Sequence, residues 1–287
     1  MDQLTERAQA KINLTLKVVG RRGDGFHELS SLIAFASVGD TLQLKPDDTL
    51  SLSVSGPFSD NLDDDNLVLR AARLAKERCG EVRTGAFALI KNLPVSSGLG
   101  GGSADAAAAL RLVGRANPGL LTPRIMEGIA CQLGSDVLAC LMSHAAIMRG
   151  RGDKLSVLDD LPALDAVLVN PGIPLAAGDV YSALEAPLLK DDFVADNAVV
   201  SFASASELLK HISNIGNDLQ QPAMKLAPEV GTAISALSKL DGCAVAQMSG
   251  SGSTCFGIFA NAGHAAGARD RLRAAHPDWW VVSTRLG

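Results

Sequence analysis

Aromatic residues are scarce in this chain. They make up 4% of its 287 residues, and Tyr181 is the single tyrosine. The core must therefore be packed from Ala, Val, Leu and Ile, and the scarcity argues against a surface that binds nucleic-acid polymers by base stacking. Positive charge is not in excess either. There are 26 Lys and Arg against 31 Asp and Glu, a net charge of −5. That gives no general attraction for a phosphate polymer, though it leaves room for a small anion bound locally. The cysteines, Cys79, Cys131, Cys140, Cys243 and Cys255, are odd in number and no pair has CxxC spacing. This speaks against zinc and against a disulfide framework, and they read as small buried hydrophobes in a reducing compartment. A long uncharged apolar run is also missing. The most apolar stretch, 125–148, carries Glu127, Gln132, Asp136 and His144, and the first residues hold no apolar signal core. The expectation is a cytoplasmic protein with no membrane span.

What remains is globular material: 47% hydrophobic, 20% charged, 28 glycines, which excludes a disordered or fibrous chain. The length suits one large domain or two medium ones. Ile12, Leu14, Leu16 and Val18 alternate with Lys11, Asn13, Thr15 and Lys17, predicting a strand over 10–18 with one buried face. A polar turn at 21–25, a strand at 29–38, a Gly39-Asp40 turn and a strand at 41–44 follow. Residues 63–66 read as the cap of a helix over 67–79. A strand at 86–92 leads through a glycine-rich loop to an alanine-rich helix at 104–115, then to helices at 123–133 and 136–142. The second half mixes helices (180–184, 203–212, 230–240, 263–275) with strands (166–169, 243–248, 254–259, 279–283). The change of pattern near 155–165 divides the chain into 1–158 and 159–287, each an α+β unit.

The segment from Pro94 through Val95, Ser96, Ser97, Gly98, Leu99, Gly100, Gly101, Gly102 and Ser103 to Ala104 carries the strongest chemical signal. It follows a strand and opens a helix. Its four glycines let the backbone approach a ligand, and a helix N-terminus offers unpaired N–H groups and partial positive charge to a phosphate. Neither GxxxxGK[ST] nor GxGxxG fits it. The bland alternative is a flexible connector. A second glycine-serine turn, Ser249-Gly250-Ser251-Gly252, serves equally as a hairpin turn or as the wall of a pocket. Asp136 opens a helix after Gly134 and Ser135, with Ser135 as the expected cap. Its carboxylate either complements the helix dipole or acts as a base. Lys11 and Asn13 share the polar face of the first strand, where a solvated lysine is the default. His27 follows a glycine turn, where a solvated histidine is the default.

Taken together, these segments resemble the galacto-, homoserine, mevalonate and phosphomevalonate kinase superfamily (GHMP kinases). The likeness rests on Ala10-Lys11-Ile12-Asn13-Leu14, on the loop from Pro94 and on the late glycine-serine turn, in that order. Arg22-Gly23-Asp24-Gly25-Phe26-His27, Gly98-Leu99-Gly100-Gly101-Gly102-Ser103-Ala104-Asp105-Ala106, Gly134-Ser135-Asp136-Val137 and Gly216-Asn217-Asp218-Leu219 resemble the branch whose acceptor is 4-diphosphocytidyl-2-C-methylerythritol. Departures from that branch are Gln9 and Leu138 where proline is usual, Asp153 where glutamate is common, and Ala177-Gly178 where a hydroxyl residue is usual.

The resemblance implies a two-domain fold, ribosomal-protein-S5-like in its N-terminal half and ferredoxin-like in its C-terminal half, with the site in a cleft. It also implies transfer of the ATP γ-phosphoryl group to the acceptor's 2-hydroxyl in non-mevalonate isoprenoid synthesis. Asp136 would accept the hydroxyl proton, and Lys11 would lie beside it, keeping the carboxylate ionised and stabilising charge on the moving group. The loop from Pro94 to Ala104 would hold the phosphates, and Asn66 would lie near adenine. Phe26 and Tyr181 would sandwich cytosine, His27 would read its edge, and Asn13, Ser249 and Gly250 would contact substrate. Mg²⁺ should accompany ATP, with Ser103 the candidate side chain for it. A monomer or homodimer is expected, with no nucleic-acid or membrane partner. Two readings stay open beside this one: a kinase of the superfamily acting on homoserine or mevalonate, and a non-catalytic ATP-binding sensor. Phe26-His27 favours a nucleotide-bearing acceptor, and the intact Lys11 and Asp136 argue against the sensor.

Overall fold

The computed structural model describes residues 3–60, 66–190 and 201–287. In chain order these form β1 (Leu4–Asn13), β2 (Lys17–Arg21), β3 (His27–Lys45), β4 (Ser51–Ser55), α1 (Leu67–Cys79), β5 (Ala86–Ile90) and α2 (Gly101–Ala116). Next come α3 (Pro123–Leu133), α4 (Ser135–Met142), β6 (Ala146–Gly150), β7 (Lys154–Val157), β8 (Leu164–Asn170), α5 (Ala177–Ala183) and α6 (Ala205–Ile215). The chain ends with α7 (Gln220–Leu226), α8 (Pro228–Ser238), β9 (Cys243–Met248), β10 (Cys255–Phe259), α9 (Ala262–Ala275) and β11 (Trp280–Leu286). Two compact units result. The first comprises 1–11, 38–95 and 100–143, and the second 12–37, 96–99 and 144–287.

In the first unit the later half of β3 pairs antiparallel with β5, and β4 adds to β5 in parallel. Leu42, Leu44, Phe87 and Leu89 point into a core completed by α1–α4. The run Ala106–Ala109 is fully buried on α2, since side chains this small let neighbouring helices approach closely. Asn66 caps α1: its Oδ1 accepts the Val68 N–H at 2.9 Å, and Gly80 closes the C-terminus with positive φ. The remainder of the expected cap, residues 63–65, lies outside the described residues.

In the second unit the early half of β3 pairs with β2 and β6. β7 pairs with β6, and β8 lies between β10 and β11. Helices α5 and α7–α9 bury Val180, Leu219, Val230, Leu237 and Leu272 against Val167, Val169 and Cys255.

The structure corrects several sequence expectations. The strand expected over 10–18 begins at Leu4 and breaks after Asn13. Up to Thr15 its polar side is not solvated, for Lys11, Asn13 and Thr15 are only 2–3% exposed, while Lys17, on β2, is exposed as expected. Gly39-Asp40 is no turn, because β3 runs straight through it. A Cβ on Gly39 would stand 2.2 Å from the Ala8 carbonyl oxygen, so the glycine is there to let β1 pass. Helix α2 starts three residues before the expected 104, at Gly101. Ser135 is the first residue of α4 rather than its cap, a position that Gly134 takes.

Candidate active site

In the first unit, β1 ends by delivering the Lys11 ammonium to Asp136 at the start of α4, with Nζ and Oδ2 3.2 Å apart. The lysine side chain is 4% exposed and the carboxylate 36%, so a buried ammonium faces an accessible carboxylate. Both reach the start of α2. Gly100, its N-cap, has φ of 63°. A Cβ there would lie 3.3 Å from Lys11 Cε and 3.7 Å from Asp136 Oδ2. A left-handed φ and this crowding together call for glycine. The first bond of the helix runs from the Ala104 N–H to the Gly100 carbonyl, so the N–H groups of Gly101, Gly102 and Ser103 precede the ladder and are available to an anion. A Cβ on Gly102 would meet Leu67 at 3.5 Å, which places the beginning of α1, and Asn66 beside it, next to this turn. Pro94 is buried and Val95 exposed on the approach to the loop.

Beneath the same turn lies a group that sequence reasoning missed. Lys91, immediately after β5, is clasped between Asp40 of β3 and Asp105 of α2, the latter at 2.9 Å. All three side chains are at most 4% exposed. Asp40 Oδ1 also accepts the N–H groups of Asn92 and Leu93. A Cβ on Gly101 would stand 3.3 Å from the Lys91 nitrogen. Burial raises the Asp105 pKa, Lys91 opposes this, and Asp40 adds to it; the result is a carboxyl pushed up to about 7. For Lys91, burial works against the charged form, but Asp105 and Asp40 outweigh it and hold the ammonium above its usual range. The signal available in the sequence was Asp105 itself, a lone charge in an alanine run.

In the second unit, Gly98 has φ of 76°, and a Cβ on it would come within 2.4 Å of the Ser249 carbonyl oxygen. The two glycine-rich segments therefore pack backbone against backbone. Ser249 Oγ donates to the Gly98 carbonyl and accepts the Asn13 N–H, both at 3.1 Å. The Thr254 N–H donates to the Ser97 carbonyl at 3.1 Å. Asn13 Nδ2 donates to Ser31 Oγ at 2.8 Å, and a Cβ on Gly250 would lie 3.3 Å from Asn13 Oδ1. Asn217, another residue whose part was not foreseen, donates to the carbonyls of Met248 and Gly250, at 2.8 Å each, and so shapes the turn. Ser97 and Leu99 are buried, whereas Ser96 is exposed with φ of 51°. The Ser249 turn is thus an integral wall of this segment.

The hairpin between β2 and β3 presents Phe26, which is 56% exposed. Asp24 accepts the Phe26 N–H, and Gly25 supplies a positive φ. His27 stacks on Tyr181 of α5, with centroids 4.9 Å apart and planes 28° from parallel. Burial, with nearby Arg21, lowers the His27 pKa, which keeps the ring neutral near pH 7 with one donor and one acceptor nitrogen. The expected pairing of rings differs in detail: Tyr181 lies on His27, while Phe26 carries the Arg151 guanidinium 4.9 Å from its centroid.

Comparison with known proteins agrees with this geometry. The GHMP kinases N-terminal domain matches residues 66–144, and the GHMP kinases C-terminal domain matches 199–278. The chain thus has the two-domain architecture of a small-molecule kinase class. A 4-diphosphocytidyl-2-C-methyl-D-erythritol kinase of Methylobacterium radiotolerans is 47% identical, with 100% of each chain covered. One from Parvibaculum lavamentivorans is 48% identical, covering 99% of this chain and 98% of the other. A crystal structure of a 4-(cytidine 5'-diphospho)-2C-methyl-D-erythritol kinase superposes with a TM-score of 0.77 at 32% identity, covering 99% of each chain. The chain belongs to the 4-diphosphocytidyl-2-C-methyl-D-erythritol kinase family.

Proposed function

We propose that the protein transfers the γ-phosphoryl group of ATP to the 2-hydroxyl of 4-diphosphocytidyl-2-C-methyl-D-erythritol, in isoprenoid synthesis by the non-mevalonate route. The observation that carries this reading is the meeting of Lys11, Asp136 and Gly100 at the start of α2. Asp136 takes the hydroxyl proton as the acceptor oxygen bonds to the γ-phosphorus. The bond from that phosphorus to the bridging oxygen breaks, and its electron pair leaves with ADP. Lys11 stabilises charge on the moving group. The Gly101, Gly102 and Ser103 N–H groups hold phosphate oxygens. Positioning and charge stabilisation are most of what phosphoryl transfer asks of a protein.

Asn66 lies toward adenine. Phe26 and Tyr181 hold cytosine, and His27 reads the polar edge of the base. Asn13, Ser249 and Gly250 contact the acceptor, and Ala177-Gly178 supplies no hydroxyl to it. Among the described residues no group of three or more His, Cys, Asp or Glu gathers as a metal cage. Mg²⁺ would come carried on ATP's own phosphates, where it would neutralise their charge, and Ser103 is the side chain that would hold it. We place the enzyme in the cytoplasm as a monomer or homodimer, with its functional halves at 1–158 and 159–287. Among the described residues no helix is long and apolar enough to cross a membrane.

ADP release over a panel of alcohols tests the reading. Turnover is expected with the cytidyl acceptor and not with homoserine or mevalonate; a preference for either of those overturns it. Those two alternatives are disfavoured because relatives of 47–48% identity carry the cytidyl-acceptor name. Asp136→Asn is expected to lose about 10²–10⁴-fold in turnover while calorimetric ATP binding survives. Wild-type turnover would remove Asp136 from its role.

A further inference from the structure

Helix α2 carries a second anchoring point, about three turns beyond the phosphate-facing glycines. Arg111 Nε meets Glu6 Oε1 of β1 at 2.9 Å. Its Nη1 donates to the carbonyls of Cys140 and Leu141, at 2.8 and 3.3 Å, in the last turn of α4. Its Nη2 reaches the Arg7 carbonyl at 3.5 Å. One turn further along α2, on the same face, Arg115 donates to Glu6 Oε2 and to the Thr5 carbonyl, at 2.8 and 3.1 Å. The Cys140 and Leu141 carbonyls belong to a helix end that lacks ladder partners, where a cation is also favoured by the dipole.

The elements gripped are those that carry the chemistry. Glu6 and Arg7 lie on the strand that ends at Lys11 and Asn13, and Cys140 lies one turn from Asp136 on α4. Arg111 itself stands on the helix whose first turn faces phosphate. A planar guanidinium with several donors can hold a carboxylate on one side and two carbonyls on the other; an ammonium cannot span them.

We propose that Arg111 is a positioning residue for the phosphoryl transfer, clamping β1 and α4 to α2 and so setting the distance between Lys11 and Asp136. The proposal rests on the assignment of Asp136 as base. A misplacement of about 1 Å costs on the order of a hundredfold in rate, so the effect should fall on kcat and not on substrate binding.

The test uses the full chain, the cytidyl acceptor and ATP. Arg111→Met is expected to lower kcat by about ten- to a hundredfold, with both KM values within about twofold of wild type. Arg111→Lys is expected to fall between Met and wild type. In an Asp136→Asn background the same changes should cost clearly less, because the geometry they disturb no longer serves a base and only the placing of Lys11 is left to lose. Wild-type kcat in Arg111→Met overturns the proposal, as does an equal fractional loss with and without Asp136. Should the Met variant fail to fold, Arg111→Lys decides: a native circular dichroism spectrum with full kcat refutes the clamp, and a lowered kcat at unchanged KM supports it. Full turnover in Asp136→Asn alone would instead refute the base on which the clamp acts.

Discussion

Asp105→Asn should stabilise this protein, and do so more at pH 8 than at pH 5.5. In the folded state the Asp105 carboxyl is pushed up from 3.8 to about 7, first by burial and then by Asp40, with Lys91 pulling the other way. A carboxyl raised in this way holds its proton more tightly folded than unfolded. Between about pH 4 and 7 the native state therefore binds more protons than the unfolded chain, and stability falls as pH rises. Below pH 4 both states are protonated and there is no such cost; above pH 7 the cost is complete. A shift of about three units corresponds to about 4 kcal/mol, of which about 2 kcal/mol develops between pH 5.5 and 8. Asparagine mimics the neutral carboxyl and can still offer its oxygen to Lys91. Urea denaturation of both proteins at the two pH values reads the difference directly, and the stability gap should widen by about 2 kcal/mol at the higher pH. A gap of the same size at both pH values, or a variant less stable at pH 8, would show that Lys91 holds Asp105 ionised throughout and would refute the reasoning.

Two further predictions concern the second unit. Phe26→Ala should raise KM for the cytidyl acceptor while leaving KM for ATP within about twofold, since stacking on a base contributes about 1–3 kcal/mol; an unchanged acceptor KM in steady-state kinetics would exclude Phe26 from the base site. Gly98→Ala should lower the melting temperature and expression of the chain, because its Cβ would stand 2.4 Å from the Ser249 carbonyl oxygen in a left-handed conformation that itself costs about 1 kcal/mol. A stable, fully active alanine variant would show that the two glycine segments are not packed as described.

Local rules made some elements readable and hid others. Helix α1 was legible to the residue because Asn66 and Gly80 punctuate both ends. Strands β9 and β10 and helix α9 showed themselves by periodicity. Helix α7 did not, since Pro222 interrupts seven residues of weak pattern, and β7 is short and mostly exposed. The first strand was misread for a different reason. Alternation of apolar and polar residues marks a buried and a wet face only when the polar face meets water, and here Lys11 and Asn13 are buried by contacts distant in sequence. For the site, Lys11, Asp136 and Gly100 were each visible as residues, and the family resemblance put Lys11 beside Asp136, where the structure has it; spacing alone could not, because the meeting with Gly100 depends on where β1 ends and α4 begins. The Asp40–Lys91–Asp105 group was invisible for the same reason. Its three members lie on β3, just after β5, and on α2, and no spacing rule links them. Of Phe26, His27 and Tyr181, the structure stacks His27 on Tyr181 and sets Arg151 over Phe26, and which ring lies on which was not written in their spacing.

The first turn of α2, proposed above to hold phosphate, contains no amine. Its donors are the main-chain N–H groups of Gly101, Gly102 and Ser103, and the nearest ammonium groups, Lys11 and Lys91, are sealed at 4% and 3% exposure. Acylating reagents and aldehydes, which disarm kinases that grip phosphate with an accessible lysine, find no such handle in this turn. The same N–H groups cannot gain or lose a proton in the working pH range, so this part of the proposed grip would keep a constant charge whatever the titration state of its surroundings.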